Sequence, residues 1–385
     1  MYRSFLIICL LFLSSYAYSH NKTTEVDQKI HGGIEVSPEG VKAAVIRISD
    51  AEQGSGLEVV FTELSPIALV QTVNGTFKPE IVKAVGEAIT EFFTRMQQQF
   101  KVPEEQIYIF GSSDLKEENL GDLVDAVRNT TGKTITFLNL ESDVQLSTVG
   151  TIPRRYREGT TWFDNRSLSV LIDIGSDTTT GGYQQLRQPI AGNPYYDYVA
   201  LRMARGTVNF ANEVRQMREL RKSKFTLKEF ALAARKFSEE TIRKELKQEG
   251  ERKPGLINRK KIYLSGGIVW ALATLLYPQD RRSFVPITVD DLNIFYRRAI
   301  NDPGILLDPD LSQISDEEQL RQIQSEIKNV RKTFKPTTLI AGAELLRALA
   351  MQFNFQGEDK KIFFARHGNL GLILSYLRMQ AENVP

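Results

Sequence analysis

The chain of 385 residues contains one cysteine, Cys9, and it falls in the apolar stretch near the start. Everything after that stretch lacks a thiol, which excludes a disulfide, a thiolate metal site and a lipid-bearing cysteine from the remainder. A chain this long can bury enough apolar surface to do without cross-links. An excess of charge of either sign is also missing. With 49 Lys and Arg against 47 Asp and Glu, the net charge of +2 marks no surface for nucleic acid or anionic lipid. The basic stretches 215–224 and 252–261 are short and interrupted, and read as solvated faces. Beyond the start there is no second apolar run of the roughly 18 residues that a stable membrane span needs. No repeat at solenoid spacing is present either.

What is present begins with Arg3, an apolar run over residues 5–13, and the small residues Ser15, Ala17 and Ser19. Positive, apolar and small-residue regions in that order predict a signal peptide over residues 1–19, followed by a flexible segment at 20–28. The expectation is an exported protein, periplasmic or secreted after cleavage.

The remainder is organised around residues 169–183, where an apolar, β-branched run carries one acid, Asp173, into a loop containing Gly175, Ser176, Asp177, Thr178, Thr179 and Thr180. This reads as a buried strand delivering a carboxylate to a polar turn. Such a turn suits an anion, because Gly175 permits close backbone approach and the hydroxyls are donors; it also suits a simple hairpin between core strands. Strands are expected at residues 41–48, 57–62, 107–110, 135–138, 167–174, 261–265 and 362–365, with a further one entering the Asn74-Gly75 turn. Helices are expected from Pro79 and over 123–127, 196–213, 227–246, 343–351 and 370–379, and residues 20–40 read as a polar lead-in. Thr288 with Asp291, and Ser315 with Glu318, read as reciprocal helix-start caps. A strand, Gly266-Gly267 and then a helix can place helix-start N–H groups against a phosphate, although a plain crossover has the same pattern. Together these predict an α/β architecture with a strong mixed-sheet component.

Leu-Ile-Asp-Ile-Gly-Ser-Asp-Thr-Thr at 171–179 resembles the second phosphate motif of the exopolyphosphatase and guanosine-pentaphosphate phosphatase family, which has the two-lobed, actin-like ATPase (ribonuclease-H-like) fold. Gly-Ser-Ser-Asp-Leu-Lys-Glu-Glu-Asn at 111–119, Ile-Tyr-Leu-Ser-Gly-Gly at 262–267, Leu-Ile-Ala-Gly-Ala-Glu-Leu-Leu at 339–346 and His-Gly-Asn-Leu-Gly at 367–371 are similar to further motifs of that family, in matching order. The resemblance implies two lobes, at 29–165 and 166–385, with the C-terminal helix able to return to the first. It also implies phosphate bound between them, a divalent cation such as Mg²⁺ or Mn²⁺, and hydrolysis of terminal phosphate from inorganic polyphosphate or a related phosphorylated nucleotide.

Carried over residue by residue, the resemblance implies Asp173 at the metal and Lys116, Gly175, Ser176, Thr178, Thr179, Gly266 and Gly267 at phosphate. Water activation falls to Asp143, or to Glu141 if the register slips. The departures weaken turnover. Thr180 stands where the family has an acid, and Lys116 replaces an arginine, keeping the charge without the bidentate fork. With residues 41–48 taken as the first strand, Arg47 falls where the family has an aspartate; it is a possible anion contact that cannot hold a cation. The expected function is therefore a phosphohydrolase of weak or altered activity, with a phosphate-ligand-binding protein or a structural, partner-binding descendant as alternatives.

Overall fold

The computed structural model describes residues 29–49, 56–67, 69, 77–115, 120–158, 161–190, 193–217 and 224–382. The expected signal peptide, the segment at 20–28, Lys116 and the Asn74-Gly75 turn lie outside the described residues. The first sheet is built from β1 (Lys29–Ser37), β2 (Gly40–Ser49), β3 (Gly56–Ser65), β4 (Ile107–Gly111) and β5 (Thr136–Phe137). Its order is β3-β2-β1-β4-β5, an antiparallel meander on one side of β1 and parallel strands on the other. A hairpin of β6 (Arg155–Glu158) and β7 (Thr161–Asp164) leads into the second sheet. That sheet comprises β8 (Ser169–Ile174), β9 (Thr179–Ile190), β10 (Asn193–Met203), β11 (Lys261–Ser265), β12 (Phe284–Ile287) and β13 (Lys361–Ala365), in the order β10-β9-β8-β11-β13-β12.

The two sheets repeat one plan around β1 and β8. Each central strand turns back antiparallel through a short loop, and each has a parallel strand on its other side. The registers match as well: Glu35 pairs with Lys42 and Phe110, while Asp173 pairs with Thr180 and Ser265. Gly111 and Gly266 each follow the last of these partners in sequence. Glu35 is thus the structural counterpart of Asp173, and Lys42 the counterpart of Thr180.

Side-chain alternation along β1 explains how its sheet is covered. A Cβ on Gly32 would meet Met96, whereas one on Gly33 would meet Ile373 and Leu377. On the first face lie α1 (Pro79–Gln98) and α2 (Gly121–Thr131), which bury Val85, Ile89, Phe92, Leu123 and Val127 against Ile34 and Val36. The opposite face receives α3 (Leu140–Thr151), whose Leu146 packs with Ala44, Ile46 and Phe110. The second sheet packs against α4 (Thr207–Gln216), α5 (Leu227–Phe237), α6 (Arg243–Arg252), α7 (Gly255–Asn258), α8 (Gly267–Leu276), α9 (Val289–Asn301), α10 (Pro303–Leu306), α11 (Glu317–Thr333) and α12 (Pro336–Gln352), which share one large core with it. The last helix, α13 (Gly371–Glu382), leaves that lobe and adds Leu372, Ile373, Tyr376 and Leu377 to the first sheet's second face. Its Ser375 hydroxyl donates to the Leu146 carbonyl at 2.5 Å, tying α13 to α3.

The expected α/β class with mixed sheets is the observed one, and three local readings need correction. Residues 29–37 form β1, the central strand of the first sheet, and are no part of a polar lead-in. The stretch expected as a helix at 196–213 is split, with β10 running through Met203 and α4 beginning only at Thr207; pairing with β9 from Asn193 to Met203 overrides the helix-like spacing of the apolar residues in the first part. Thr288 and Asp291 do form a reciprocal cap, but α11 is capped one residue later than expected, by Asp316 accepting from the Gln319 N–H at 2.8 Å. Among the described residues, no helix is long and apolar enough to cross a membrane.

Candidate active site

The loops that follow β1 and β8 meet at the boundary between the two sheets. Gly175 N–H donates to the Thr178 carbonyl at 3.0 Å, closing a tight turn, and Ser176 N–H points at Glu39 Oε1 at 3.4 Å. The start of α4 does not present free N–H groups to this space. Thr207 and Val208 donate to the carbonyls of Gly175 and Ser176 at 3.0 and 2.8 Å, so the helix start anchors the loop.

Besides Glu39, the carboxylates of Glu35, Asp143, Asp114 and Asp173 lie around the meeting point, each held by a protein donor. Glu35 is buried and accepts both of its bonds from Lys42 Nζ, at 3.1 and 3.2 Å. Burial opposes the Lys42 ammonium, but Glu35, Glu39 and Asp173 outweigh it and hold its pKa above the ordinary lysine value. Asp143 lies in the first turn of α3 and accepts from Ser113 N–H at 2.9 Å and from the Ser147 hydroxyl at 3.2 Å. It is near enough to Glu35 to add to the upward push that burial gives that carboxyl. Asp114 accepts from the Thr178 hydroxyl at 2.8 Å and faces Arg202 at 3.3 Å, spanning from the first sheet's loop to the second sheet. Asp173 accepts from the Ser265 hydroxyl across the parallel β8–β11 pair.

Desolvation raises the Asp173 pKa to about 6, Ser265 and Lys42 lower it in part, and Glu39 and Asp114 raise it further. An acid whose folded pKa exceeds its unfolded value favours folding while protonated. That contribution is lost as pH rises from about 4 through about 6. Asp173→Asn should therefore leave stability near wild type at pH 4 and exceed it at pH 8. The expected gain is on the order of 2 kcal/mol, below what the full shift implies because the carboxyl keeps an edge toward the cleft. Urea unfolding at the two pH values measures this, and an equal effect at both would contradict it.

The residues expected from sequence separate clearly. Asp143, Asp173, Gly175, Ser176 and Thr178 converge at the cleft through the contacts above. Gly266, at φ +95°, lies against the Ile174 backbone beside Asp173, and Gly267 opens α8 with Phe334 behind it. Thr179 does not contribute its hydroxyl, which is buried and donates to the Arg205 carbonyl at 2.8 Å. Glu141 is exposed and, with Gln185 and Asp197, lines a separate hollow against β9 and β10, so of the two expected acids Asp143 is the one beside Ser113 and Glu35. Arg47 is corrected outright. It sits on β2 and pairs with Glu58 of β3 at 2.6 Å, in a partly solvent-exposed ion pair away from the contacts described above.

The acid expected on the first strand is Glu35, because β1 and not β2 is that strand. Sequence reasoning missed Glu35, Lys42, Asp114, Arg202 and Ser265. A signal for the first pair existed: Pro38-Glu39-Gly40 is a turn flanked by apolar residues, with Glu35 and Lys42 seven apart as Asp173 and Thr180 are.

The chemistry of this donor set bears on the implied metal. Among the described residues no three His, Cys, Asp or Glu side chains form a group able to hold an ion. Lys42 is spent on Glu35, and Ser265, Thr178 and Ser113 occupy oxygens that a cation would need. The side chains present do not make a pre-built divalent-cation site.

Comparison with known proteins gives the architecture a reference. No protein-family profile matches the chain, and no curated protein matches its sequence. Solved structures do. A Ppx/GppA family member from Aquifex aeolicus superposes with a TM-score of 0.59 at 13% identity, covering 93% of this chain and 100% of its own. The chain has the fold of the Ppx/GppA exopolyphosphatases. An exopolyphosphatase-like protein superposes with a TM-score of 0.62 at 15% identity, covering 92% of this chain and 99% of its own. An exopolyphosphatase from Cytophaga hutchinsonii gives 0.57 at 10% identity, over 90% of this chain and 98% of its own. The relationship to this exopolyphosphatase fold is distant but spans nearly the whole chain.

Proposed function

We propose that the cleft binds the terminal phosphoryl group of inorganic polyphosphate, or of a related phosphorylated nucleotide, and hydrolyses it slowly. The observation that carries this reading is the paired arrangement of Glu35–Lys42 and Asp173 on equivalent strands, with Asp143 on α3 facing the same space. Asp143 has one accepted bond on each oxygen, which fixes the carboxylate and leaves lone pairs to orient a water toward phosphorus. Lys42, Thr178 and Ser176 supply the cation and donors that compensate phosphoryl charge. Mg²⁺ or Mn²⁺ belongs to this reading as a companion of the ligand's phosphate oxygens, since the described side chains alone do not assemble a site for it. Export to the periplasm or exterior is part of the same proposal, and it sets polyphosphate ahead of a cytoplasmic nucleotide.

A second reading, binding without turnover, is favoured by the commitment of Glu35, Asp143, Asp114 and Asp173 to protein donors. One experiment separates the two. Purified protein is incubated with defined-length polyphosphate or guanosine pentaphosphate, with Mg²⁺, Mn²⁺ or chelator, while phosphate release and equilibrium binding are both followed. Asp143→Asn should lower release by about 100-fold and leave ground-state affinity within a few-fold. Binding without release above the Asp143→Asn background would select the binding reading. Absence of both would leave a structural or partner-binding role.

A further inference from the structure

Two donors that suit a phosphoryl oxygen already hold a carboxylate. Thr178, in the loop after β8, donates to Asp114 Oδ2 at 2.8 Å, and the Arg202 guanidinium faces Asp114 Oδ1 at 3.3 Å. Arg202 stands on β10 opposite Thr180, which in turn pairs with Asp173, so its guanidinium starts two strands from the metal-position acid and reaches over the phosphate loop. Its other terminal nitrogen donates to the Ser113 carbonyl at 3.1 Å, in the same turn that gives its N–H to Asp143. A guanidinium nitrogen beside one oxygen and a hydroxyl donating to the other suit a carboxylate and a phosphate alike, and Asp114 Oδ1 has no hydrogen-bond partner of its own. Asp114 therefore occupies the place of an anionic ligand.

Its hold is not deep. The Asp114 side chain is 20% exposed and that of Arg202 31%, so both can be reached from the cleft. Burial pushes the Asp114 pKa upward against the pull of Thr178 and Arg202, which means that its charged form bears a desolvation cost relieved on withdrawal. Asp114 belongs to the loop after β4, and Thr178 and Arg202 belong to the second sheet. The contact therefore also links the two lobes across the cleft.

We propose that Thr178 and Arg202 form an anion subsite for a phosphoryl group of the ligand, and that Asp114 is its built-in competitor, displaced when the ligand enters. The proposal rests on the phosphate reading above and adds to it a binding residue, Arg202, and an autoinhibitory one, Asp114. If the internal carboxylate fills the subsite about nine-tenths of the time, removing it tightens apparent affinity about tenfold.

Isothermal titration of the full chain with sodium tripolyphosphate tests this, with thermal melting of each variant as a check on folding. Asp114→Ala and Asp114→Asn should each bind about tenfold more tightly than wild type. Arg202→Ala should bind at least tenfold more weakly, with Arg202→Lys between it and wild type because the charge remains without the fork. Asp114→Asn keeps an acceptor for Thr178, so it preserves the lobe contact if Asp114→Ala fails to fold. Wild-type binding with equal or weaker binding by a normally melting Asp114→Asn protein would overturn the competitor role and leave the phosphate reading standing. Unchanged affinity in Arg202→Ala would overturn the subsite. No binding by wild type or by any variant would overturn the phosphate reading together with this one.

Discussion

Lys42→Met should be among the most damaging single substitutions in the molecule. The ammonium is the donor to both oxygens of Glu35, whose side chain is only 5% exposed, and methionine offers similar length with no charge and no donor. Removing one partner of a buried ion pair typically costs about 3–5 kcal/mol, because the surviving charge stays desolvated and alone. Glu35 also faces Asp143 and Glu39, which add repulsion once Lys42 is gone. The double variant Glu35→Gln with Lys42→Met should recover most of the lost stability, since no buried charge is then left unpaired. Chemical denaturation of the two single variants and the double variant gives the coupling directly. Phosphate affinity should stay lost in the double variant even where stability returns. A double variant as unstable as Lys42→Met would show that the pair matters through packing alone.

Gly150→Leu should have a comparable effect through shape. Gly150 lies in the last turn of α3, where a Cβ would fall on the backbone carbonyl of Gly371 at the start of α13; a Cβ on Gly371 would in turn strike Thr151. All of the atoms a Cβ on Gly150 would meet are backbone atoms of Gly371, which cannot swing aside as a side chain can, so relief requires the two helices to separate. Overpacking of this kind costs roughly 3 kcal/mol at the upper end of its usual range. The displaced helix is the one that carries Asp143, so phosphate release should fall with stability. Gly121→Ala is the matched control: nothing lies within 4 Å of its added Cβ, and the change should leave both quantities near wild type. Thermal melting together with the release assay separates the two outcomes, and a Gly150→Leu protein that melts with wild type would refute the close helix crossing.

The second lobe's hairpin was legible because its residues follow the ordinary rules. Residues 169–174 are apolar apart from Ser169 and Asp173, and the turn that follows is rich in glycine and hydroxyls, so strand, acid and loop all stood out. The first lobe's equivalent was not legible. β1 contains Lys29, His31, Gly32, Gly33 and Glu35, a composition that reads as polar lead-in, and only the fold shows His31 and Glu35 buried within it. That single omission displaced the site, since the next strand then took the role of the first and Arg47 took the place of Glu35. Likewise, Tyr196, Val199, Ala200 and Met203 are spaced as on a helix, yet β9 offers them a longer ladder. Arg202 and Asp114 could not be paired from sequence at all, because 88 residues separate them and only the meeting of the lobes brings them together.

The return of α13 to the first sheet also governs the order in which the molecule can form. Strand β1 is made long before the helix that covers its second face, through Ile373 and Leu377, because the whole second sheet lies between them in the chain. Until α13 is made, Ala44, Ile46, Phe110 and Leu146 have no complete apolar cover, and the nascent first lobe carries an open hydrophobic flank. Contacts this distant along the chain close slowly, because the loop between them must first be brought together. The first sheet's second face is therefore completed only after the second sheet and its helices have been made.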